Sequence, residues 1–509
     1  MNRLIDRLNA LGRDRLAGLR RGVEKESLRV RDDGLLALTP HPKALGSALT
    51  HARITTDFSE SQLELITGVH TDAQSCLDEL TEIHQFVARA LGEERMWAAS
   101  MPCNLPADET IPIGRYGTSH LGRAKSIYRM GLSQRYGRRM QTISGIHYNW
   151  SMPGLSSAEY FALIRNFRRH SFVLLYLFGA SPAVCGCFVE GREHELQPLG
   201  DSSAYLPHAT SLRMGRLGYQ SDAQAALAVS YNSLEDYAGS LEGALTRPFP
   251  PYEQLGLRNL GGEYNQLATS LLQIENEFYG TIRPKRVIQR GERPLHALRQ
   301  RGVEYIEVRC LDLDPFETVG ISAETMRLID VFLLHCLLAD SPPDSPGEIA
   351  RLARNQHLSA GRGRDPELRL ERGYQSVRLT DWVREILDQC RPIAAALDAA
   401  VGGEAHAAAL QAALGQLADP RRLPSARVLE ALRSDFGGSY SGFVLNQSSA
   451  IHAELLRRPL SEAQLAAFQA EAKASIEAQR AIEAADAGSF EVWRQAYLAP
   501  STLSPAVAG

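Results

Sequence analysis

The feature that most constrains this chain is a set of strand-like segments, far apart in sequence, that each place acidic side chains on one face. The segments are residues 21–26, 57–65 and 304–309. Side chains of a strand alternate between faces, so Glu24 and Glu26 share a face roughly 7 Å apart, as do Glu307 and Arg309. Two carboxylates ~4 Å apart repel by about 4 kcal/mol at an effective dielectric of about 20. Several that converge need protons or a cation, and a divalent metal ion meets that need.

The composition describes a globular chain whose partners are small molecules. Its 509 residues suffice for a large core, and 44% hydrophobic and 22% charged residues are ordinary proportions. A net charge of −4 predicts no nucleic-acid partner. The seven cysteines include no C-x-x-C pair, which indicates a reducing compartment. Cys185-Gly-Cys187 could be a ligand pair or a redox pair, but two buried thiols are more common in an apolar stretch, and we assign it no chemistry.

The N-terminal segment and the most apolar stretch predict a cytoplasmic protein without a membrane anchor. Residues 1–19 carry leucine and isoleucine at helical spacing between charged residues, which is typical of an amphipathic helix and not of a secretory signal. Residues 172–189 approach the length of a membrane span, but Gly179, Pro182 and Gly186 interrupt them. We interpret this stretch as a buried helix followed by a turn and a strand.

Residues 1–321 alternate helical and strand-like segments and predict an α+β core. The expected helices are residues 72–91, 158–178 and, more weakly, 223–245, and the expected strands are residues 28–30, 141–152, 271–279 and 303–311. In one of these strands Tyr148 and His147 are on different faces, and in another Val308 and Glu307 are on different faces. Such alternation is typical of an antiparallel sheet that packs on one side only, so we expect its open side to carry the charge.

Residues 322–509 predict a mostly helical region, because alanine, leucine, arginine and glutamate recur there at helical spacing. The expected helices include residues 325–338, 381–398 and 462–485, and the expected loops are residues 341–346, 361–366 and 402–403. We expect this region to pack on the core of residues 1–321 as one continuous unit. Residues 499–509 are expected to form a frayed tail.

A histidine and a basic segment complement the acidic faces. His147 lies on the polar face of a candidate strand, and imidazole with carboxylates suits Mg²⁺ or Mn²⁺, although a lone strand histidine is more often structural. Residues 115–139 hold seven lysines or arginines interleaved with three tyrosines. This segment has three interpretations: a solvated helix face, a nucleic-acid patch, which the net charge disfavours, or cations that bind phosphate and substrate carboxylates.

Metal-binding carboxylates and phosphate-binding cations together predict phosphoryl transfer. The usual nucleotide loops are absent from the sequence. Within residues 117–126, Lys125 lies two positions too late for a Walker A loop, and no G-x-G-x-x-G follows a strand. A nucleotide would therefore be held through metal ions on the sheet.

Five segments, taken together, resemble the proteobacterial glutamate–cysteine ligases in order and spacing. They are residues 22–29, 56–65, 102–106, 143–150 and 304–309. The resemblance extends over about residues 15–325 of the sequence. It implies a fold related to that of glutamine synthetase, in which a curved antiparallel sheet of about six strands surrounds metal ions and ATP on its polar concave face.

The resemblance also implies roles for individual residues. The metal ligands would be Glu24, Glu26, Asp57, Glu64, His147 and Glu307. Arg309 would meet the transferred phosphoryl group, and Arg213 would hold a substrate carboxylate; with Glu307, these two are the expected catalytic residues. Lys125 would contact the nucleotide, and His147 would also face the substrate. The pocket for cysteine would be lined by Phe58, Tyr128, Leu132, Tyr219 and Tyr279.

The implied reaction is an ATP-dependent ligation in two steps. ATP phosphorylates the γ-carboxylate of L-glutamate, and the amine of L-cysteine then displaces phosphate to give γ-glutamylcysteine, the first step of glutathione biosynthesis. The expected cofactor is Mg²⁺, three ions per site, with Mn²⁺ as an alternative, and the expected state is a monomer. Two alternatives stay open: a related ligase that uses another amine acceptor, and a catalytically silent relative that binds nucleotide and metal.

Overall fold

The computed structural model describes residues 2–218, 222–225 and 227–505. Twelve strands occur within these ranges, and we number them in chain order. They are β1 (Arg20–Val30), β2 (Ile54–Thr56), β3 (Gln62–Ile66), β4 (Arg95–Met96), β5 (Ile146–Ser151), β6 (Ala183–Cys185), β7 (Gln197–Leu199), β8 (Ser203–Tyr205), β9 (Ile282–Lys285), β10 (Tyr305–Leu311), β11 (Arg369–Arg372) and β12 (Gln375–Arg378).

Side-chain caps define many helix starts. Ser156 and Glu159 form a capping box, in which each side chain accepts from the other residue's backbone N–H, and Ser461 forms another with Gln464. The helices are α1 (Asn2–Leu11), α2 (Arg13–Ala17), α3 (Ala73–Ala90), α4 (His120–Tyr136), α5 (Arg138–Gln141), α6 (Ser157–His170), α7 (Phe172–Phe178), α8 (Gly186–Val189), α9 (Asp222–Ala225), α10 (Leu234–Thr246), α11 (Pro250–Leu255), α12 (Pro294–Arg301), α13 (Ala323–Leu338), α14 (Pro346–Arg362), α15 (Leu379–Val401), α16 (Ala405–Ala418), α17 (Pro424–Ser434), α18 (Tyr440–Arg457), α19 (Glu462–Ala485) and α20 (Phe490–Leu498).

One antiparallel sheet carries the candidate site. Its strands follow the order β2-β3-β1-β5-β10-β9, and β4 pairs with the end of β1, so seven strands stand where about six were predicted. All of its pairs are antiparallel, which confirms the α+β prediction. A smaller sheet has the order β6-β8-β7, and β11 and β12 form a hairpin inside the region predicted to be mostly helical.

The apolar face of the main sheet packs against helices from both parts of the chain. Val23, Tyr148 and Val308 are buried in one core together with residues of α3, α6 and α13. The same core includes residues of α15 and α16, which pack on α13 and on each other, so these helices extend the core of the sheet and have no separate core of their own. The division of the chain at residue 321 stays a prediction.

The polar face of the sheet is also buried, which corrects the expectation of an open side. Glu26, His147 and Glu307 are 3%, 4% and 1% exposed. Helix α4 and residues 274–294 contribute walls above this face. The face is polar because it lines a cavity and not because it meets bulk solvent.

Several local predictions are wrong at their ends or in type. Residues 271–279 contain a single 3₁₀ turn in place of a strand, because the N–H of Gln273 donates to the Glu277 carboxylate and not to a neighbouring strand. The strand expected at residues 141–152 begins only at β5, after the short helix α5. The helix expected at residues 158–178 is divided into α6 and α7 at Ser171. The weaker helix expected at residues 223–245 is divided into α9 and α10.

The C-terminal predictions are confirmed for the long helices but not for the tail. Helix α19 has the predicted bounds, whereas α14 continues through Arg362 into the expected loop. Pro500–Leu503 form a 3₁₀ turn, and Leu503 is buried, so the tail is anchored there; residues 506–509 lie outside the described chain. None of the helices in the described ranges combines the length and apolar character needed to cross a bilayer.

Candidate active site

Cross-strand pairing brings the predicted acidic residues onto one patch of the sheet. On β1, Glu24 lies opposite His147 of β5, and Glu26 lies opposite Glu64 of β3. Strand β10 pairs with the other edge of β5 and adds Glu307. Directly opposite residues of antiparallel strands have Cβ atoms about 5 Å apart, so the strand register assembles the group from distant parts of the chain.

His147 stands at the centre of this group. Its Nδ1 lies 3.2 Å from Glu24 Oε2 and 3.6 Å from Glu307 Oε1, and its Nε2 lies 3.6 Å from Glu26 Oε1. Ligand atoms of Glu24, Glu64 and His147 all lie within 4.8 Å of one another. Burial lowers the pKa of His147, so the imidazole is neutral near pH 7 and can offer a lone pair to a metal ion.

Asp57 joins the group from the turn between β2 and β3. The Tyr116 hydroxyl donates to the backbone carbonyl of Asp57 at 2.6 Å, and Arg129 donates to the same oxygen. These bonds hold the turn so that Asp57 lines the same cavity as the other acidic residues. Its charge is close enough to contribute, after burial, to the raised pKa values of Glu26 and Glu64.

A cavity of about 490 Å³ lies over the acidic patch. The six predicted metal ligands all line it: Glu24, Glu26, Asp57, Glu64, His147 and Glu307. The predicted nucleotide, phosphoryl and cysteine-pocket residues that line it are Lys125, Arg309, Phe58, Tyr128, Leu132 and Tyr279. Tyr219, also predicted for the pocket, lies outside the described residues. The structure therefore brings together the residues that the sequence placed on separate segments.

Two carboxylates of this cavity have raised pKa values. Burial, followed by the charge of Asp57, raises the pKa of Glu26 to about 8. Burial, followed by the charge of Glu24, raises the pKa of Glu64 well above its ordinary value. A cation bound among these groups would reverse both shifts, because it favours the ionised carboxylates.

Glu307 differs because two cations of the chain reach it. Although burial favours its protonated form, Lys285 and Arg309 hold its pKa well below the ordinary value. Lys285 Nζ lies 3.4 Å and Arg309 Nη1 lies 3.0 Å from Oε1. The other oxygen, Oε2, is buried without a hydrogen-bond partner in the described part of the chain. A metal ion would satisfy that oxygen, so the donor set fits a divalent ion.

Arg213 lies beside the acidic cavity and not within it. It lines an adjoining cavity of about 310 Å³, and Tyr279 and Arg309 line both cavities. Arg213 Nη2 donates to the backbone carbonyl of Arg309 at 3.0 Å. A Cβ at Gly145 would lie 1.9 Å from the same nitrogen, so any larger residue there would displace the Arg213 guanidinium. The N–H of Gly145 donates to Glu26 Oε2 at 2.7 Å, which connects the two cavities.

Three of the seven cations in the basic segment at residues 115–139 stabilise the fold. Three arginines bind the chain itself, through Glu277 or through backbone carbonyl oxygens: Arg135, Arg138 and Arg139. Two of its basic residues, Lys125 and Arg129, line the acidic cavity. Burial, followed by the Arg129 charge, lowers the pKa of Lys125 to about 8. The interpretation as a solvated helix face is therefore wrong for these five residues, whereas Arg115 and Arg123 are exposed.

Sequence reasoning missed three polar residues around the site. Arg283 and Lys285 line the cavity from β9, and Asn149 Nδ2 donates to Glu24 Oε1 at 2.9 Å. Asn149 could have been found, because it shares the polar face of its strand with His147. Strand β9 was missed because it contains Pro284, and proline argues against a strand assignment. The proline is tolerated there because β9 is an edge strand.

Comparisons with known proteins agree with one another. A family model for glutamate–cysteine ligase matches residues 5–358. The chain is 49% identical over 500 residues to the glutamate–cysteine ligase of Azotobacter vinelandii and 48% identical over 497 residues to that of Pseudomonas aeruginosa strain PAO1, and each alignment covers 94% of both proteins.

Solved structures give the same result. The crystal structure of a glutamate–cysteine ligase from Francisella tularensis in complex with AMP matches with a TM-score of 0.90 and 36% identity, covering 95% of this chain and 98% of that one. A bifunctional glutathione synthetase from Pasteurella multocida matches with a TM-score of 0.71 and 25% identity, covering 92% of this chain and 58% of that one.

Proposed function

The chain belongs to the glutamate–cysteine ligase family, and from this we propose that it joins the γ-carboxylate of L-glutamate to the amine of L-cysteine. ATP is cleaved to ADP and phosphate, and the product is γ-glutamylcysteine, in the first step of glutathione biosynthesis. The observation that carries the proposal is the single cavity in which the five carboxylates of the predicted metal set, His147 and several cations converge. Phosphoryl transfer depends on such placement of charge more than on covalent chemistry by the protein.

The acidic set is proposed to bind Mg²⁺, three ions per site, with Mn²⁺ as an alternative. Its members are Glu24, Glu26, Asp57, Glu64, His147 and Glu307. Carboxylate oxygens with one imidazole are suitable ligands for either ion. The raised pKa values of Glu26 and Glu64 support the proposal, because burial and neighbouring carboxylates disfavour their ionised forms, which a bound cation would favour. When bound, the ions would neutralise the phosphates of ATP and the charge that develops during transfer.

Arg309, Arg213 and Lys125 are proposed to hold the reacting groups of the first step. In that step a γ-carboxylate oxygen of glutamate attacks the terminal phosphorus of ATP, and ADP leaves. Arg309 lines both cavities and can donate to the phosphoryl oxygens. Arg213 can bind a carboxylate of glutamate in the adjoining cavity. Lys125 can contact the nucleotide phosphates from α4.

Aromatic and aliphatic side chains are proposed to hold cysteine for the second step. The cysteine nitrogen attacks the acyl carbon, phosphate leaves, and the nitrogen loses a proton. The proposed pocket residues of the described chain are Phe58, Tyr128, Leu132 and Tyr279. They offer the apolar surface that a small thiol side chain requires. Gln141 Nε2 donates to the Tyr279 hydroxyl at 2.6 Å and so fixes that ring. The role of Tyr219 stays a prediction.

The test is release of ADP by the purified full-length protein. We expect release only when Mg²⁺, glutamate and an amine acceptor are all present, with cysteine preferred over 2-aminobutyrate and both preferred over alanine. Turnover with another amine but none with cysteine would support a related ligase with a different acceptor. Absence of ADP under every condition would support a silent relative. The monomeric state and the cytoplasmic location are further proposals that gel filtration and fractionation can test.

A further inference from the structure

Three cysteines that the proposed reaction does not use lie together, away from the acidic cavity. Cys103 lies in the loop after β4, Cys185 ends β6, and Cys187 lies in α8. Their sulfur atoms all lie within 4.8 Å of one another, and the sulfurs of Cys185 and Cys187 are 3.1 Å apart. None of the three is among the residues that line the acidic cavity. The sequence showed only a C-x-C pair, and the fold adds a third thiol from about 80 residues away.

Backbone N–H groups are directed at two of these sulfurs. The N–H groups of Asn104 and Cys187 face Cys185 Sγ, and the N–H of Leu105 faces Cys187 Sγ. Asn104 has a φ of 49°, a region that side-chain-bearing residues rarely adopt. No other non-glycine residue of the described chain has a positive φ. The turn at Asn104 places the consecutive N–H groups of Asn104 and Leu105 beside these sulfurs.

We propose that Cys103, Cys185 and Cys187 bind one soft, closed-shell metal ion, of the chemistry shared by Cu⁺ and Zn²⁺, through three thiolates. Each thiol loses its proton to solvent as its sulfur–metal bond forms. Thiolates select such ions, whereas Mg²⁺ prefers oxygen ligands. Three sulfurs suit Cu⁺ directly, and Zn²⁺ would add a water as its fourth ligand. This site and the acidic cavity therefore do not compete for the same ion.

Burial and pairing agree with an ion better than with a disulfide. Cys103 and Cys185 are buried, and Cys187 is half-buried, so an ion can enter from the side of Cys187. A disulfide between any two of the three would leave the third thiol alone. All seven cysteines of the chain are free thiols in the structure.

The test uses Cd²⁺ as the probe on reduced full-length protein in saturating Mg²⁺. We expect one equivalent to produce the ultraviolet charge-transfer absorption of cadmium–thiolate bonds and to raise the Tm, because the ion binds the folded state. The acidic cavity, which is lined by oxygen and nitrogen ligands, cannot give that absorption. Zn²⁺ and Cu⁺ added in competition should remove it, and the stronger competitor identifies the preferred ion.

Two variants and one matched control sharpen the test. Cys185→Ser and Cys187→Ser should each lose most of the absorption while ligase turnover is unchanged. Cys76→Ala, which removes a buried thiol elsewhere, should keep it. The proposal is overturned by a wild-type protein without the absorption, by an absorption that persists in both serine variants, or by one that neither Zn²⁺ nor Cu⁺ removes. Absence of ligase turnover in the wild type would contradict the proposed function, but it would not affect the test of metal binding by the three cysteines.

Discussion

The two faces of β1 differ in the surroundings of their charged side chains. On the core face, Arg21 Nη2 lies 2.9 Å from Asp330 Oδ2, both side chains are buried, and the Tyr148 hydroxyl donates to the other carboxylate oxygen at 2.8 Å. On the cavity face, Glu24 and Glu26 meet further carboxylates, and burial raises the pKa of Glu26 to about 8. The chain thus neutralises charge where it builds its core, whereas burial and a neighbouring carboxylate disfavour the ionised form of Glu26 on the face where we propose that metal ions and ATP bind.

The largest expected effect is on the cavity face. Glu307→Gln keeps the shape of the side chain but removes its charge, so we expect ADP release to fall by about 10³-fold, in line with the loss of one group that stabilises transition-state charge. The variant should remain folded. Near-normal turnover in a well-folded variant would remove Glu307 from the proposed metal set.

Glu304→Gln is the matched control for that variant. Glu304 precedes the same strand, is 45% exposed and lies 3.4 Å from Arg286. We expect its turnover to stay within about twofold of the wild type, because an exposed ion pair contributes little. An equal loss in both variants would show that the strand and not the cavity charge had been disturbed.

The next effect is on the core face and concerns stability. Asp330→Asn leaves the Arg21 guanidinium buried without its counter-charge, which costs about 3–5 kcal/mol of unfolding free energy. Urea unfolding measures this loss, and turnover per folded molecule should stay unchanged. Asp388→Asn is the control, since Asp388 pairs with Arg391 at the surface, and there we expect a change of less than about 1 kcal/mol. Equal losses in the two variants would contradict the comparison.

A smaller effect links Mg²⁺ to pH through Glu26. Its pKa is about 8 in the metal-free folded protein and 4.5 ordinarily. The stability that it contributes is therefore fully present below pH 4.5 and is lost as the pH rises towards 8. Mg²⁺ should restore it by stabilising the ionised carboxylates, so Mg²⁺ should raise the Tm more at pH 8.5 than at pH 6. Glu26→Gln should make that increase less dependent on pH. A wild-type increase that is equal at both pH values would contradict this role.

The smallest effect concerns Lys25, the neighbour of Glu26 on the opposite face. Burial lowers the pKa of Lys25 from 10.5 to about 7, and its Nζ lies 2.9 Å from His84 Nε2. The unfolded chain binds the extra proton between pH 7 and 10.5, so this residue makes stability rise with pH in that range. Lys25→Met should remove that rise. The Tm of the wild type should therefore increase relative to the Tm of the variant between pH 7 and pH 9. A Tm difference that is independent of pH would refute the assignment.

Local pattern predicted much of the fold where one physical signal dominated. The alternation in β5 and β10 identified the faces of both strands, and the cap at Ser461 marks the start of α19. The predicted strand at residues 271–279 was wrong because a side chain accepts a backbone hydrogen bond there: the N–H of Gln273 donates to the Glu277 carboxylate and not to a neighbouring strand. Prediction also missed β9, whose proline conceals an edge strand. The remaining differences lie at element ends, where tertiary contacts decide how far a helix or strand extends.

The sequence by itself determined which side chains share a face, because alternation along a strand follows from the stereochemistry of the backbone alone. Only the tertiary structure decided that these faces meet, that α4 and residues 274–294 cover them, and that Lys285 reaches Glu307 and not Glu26. Register and burial depend on packing between segments hundreds of residues apart. The pKa of each carboxylate depends in turn on those neighbours, so no local pattern could supply it.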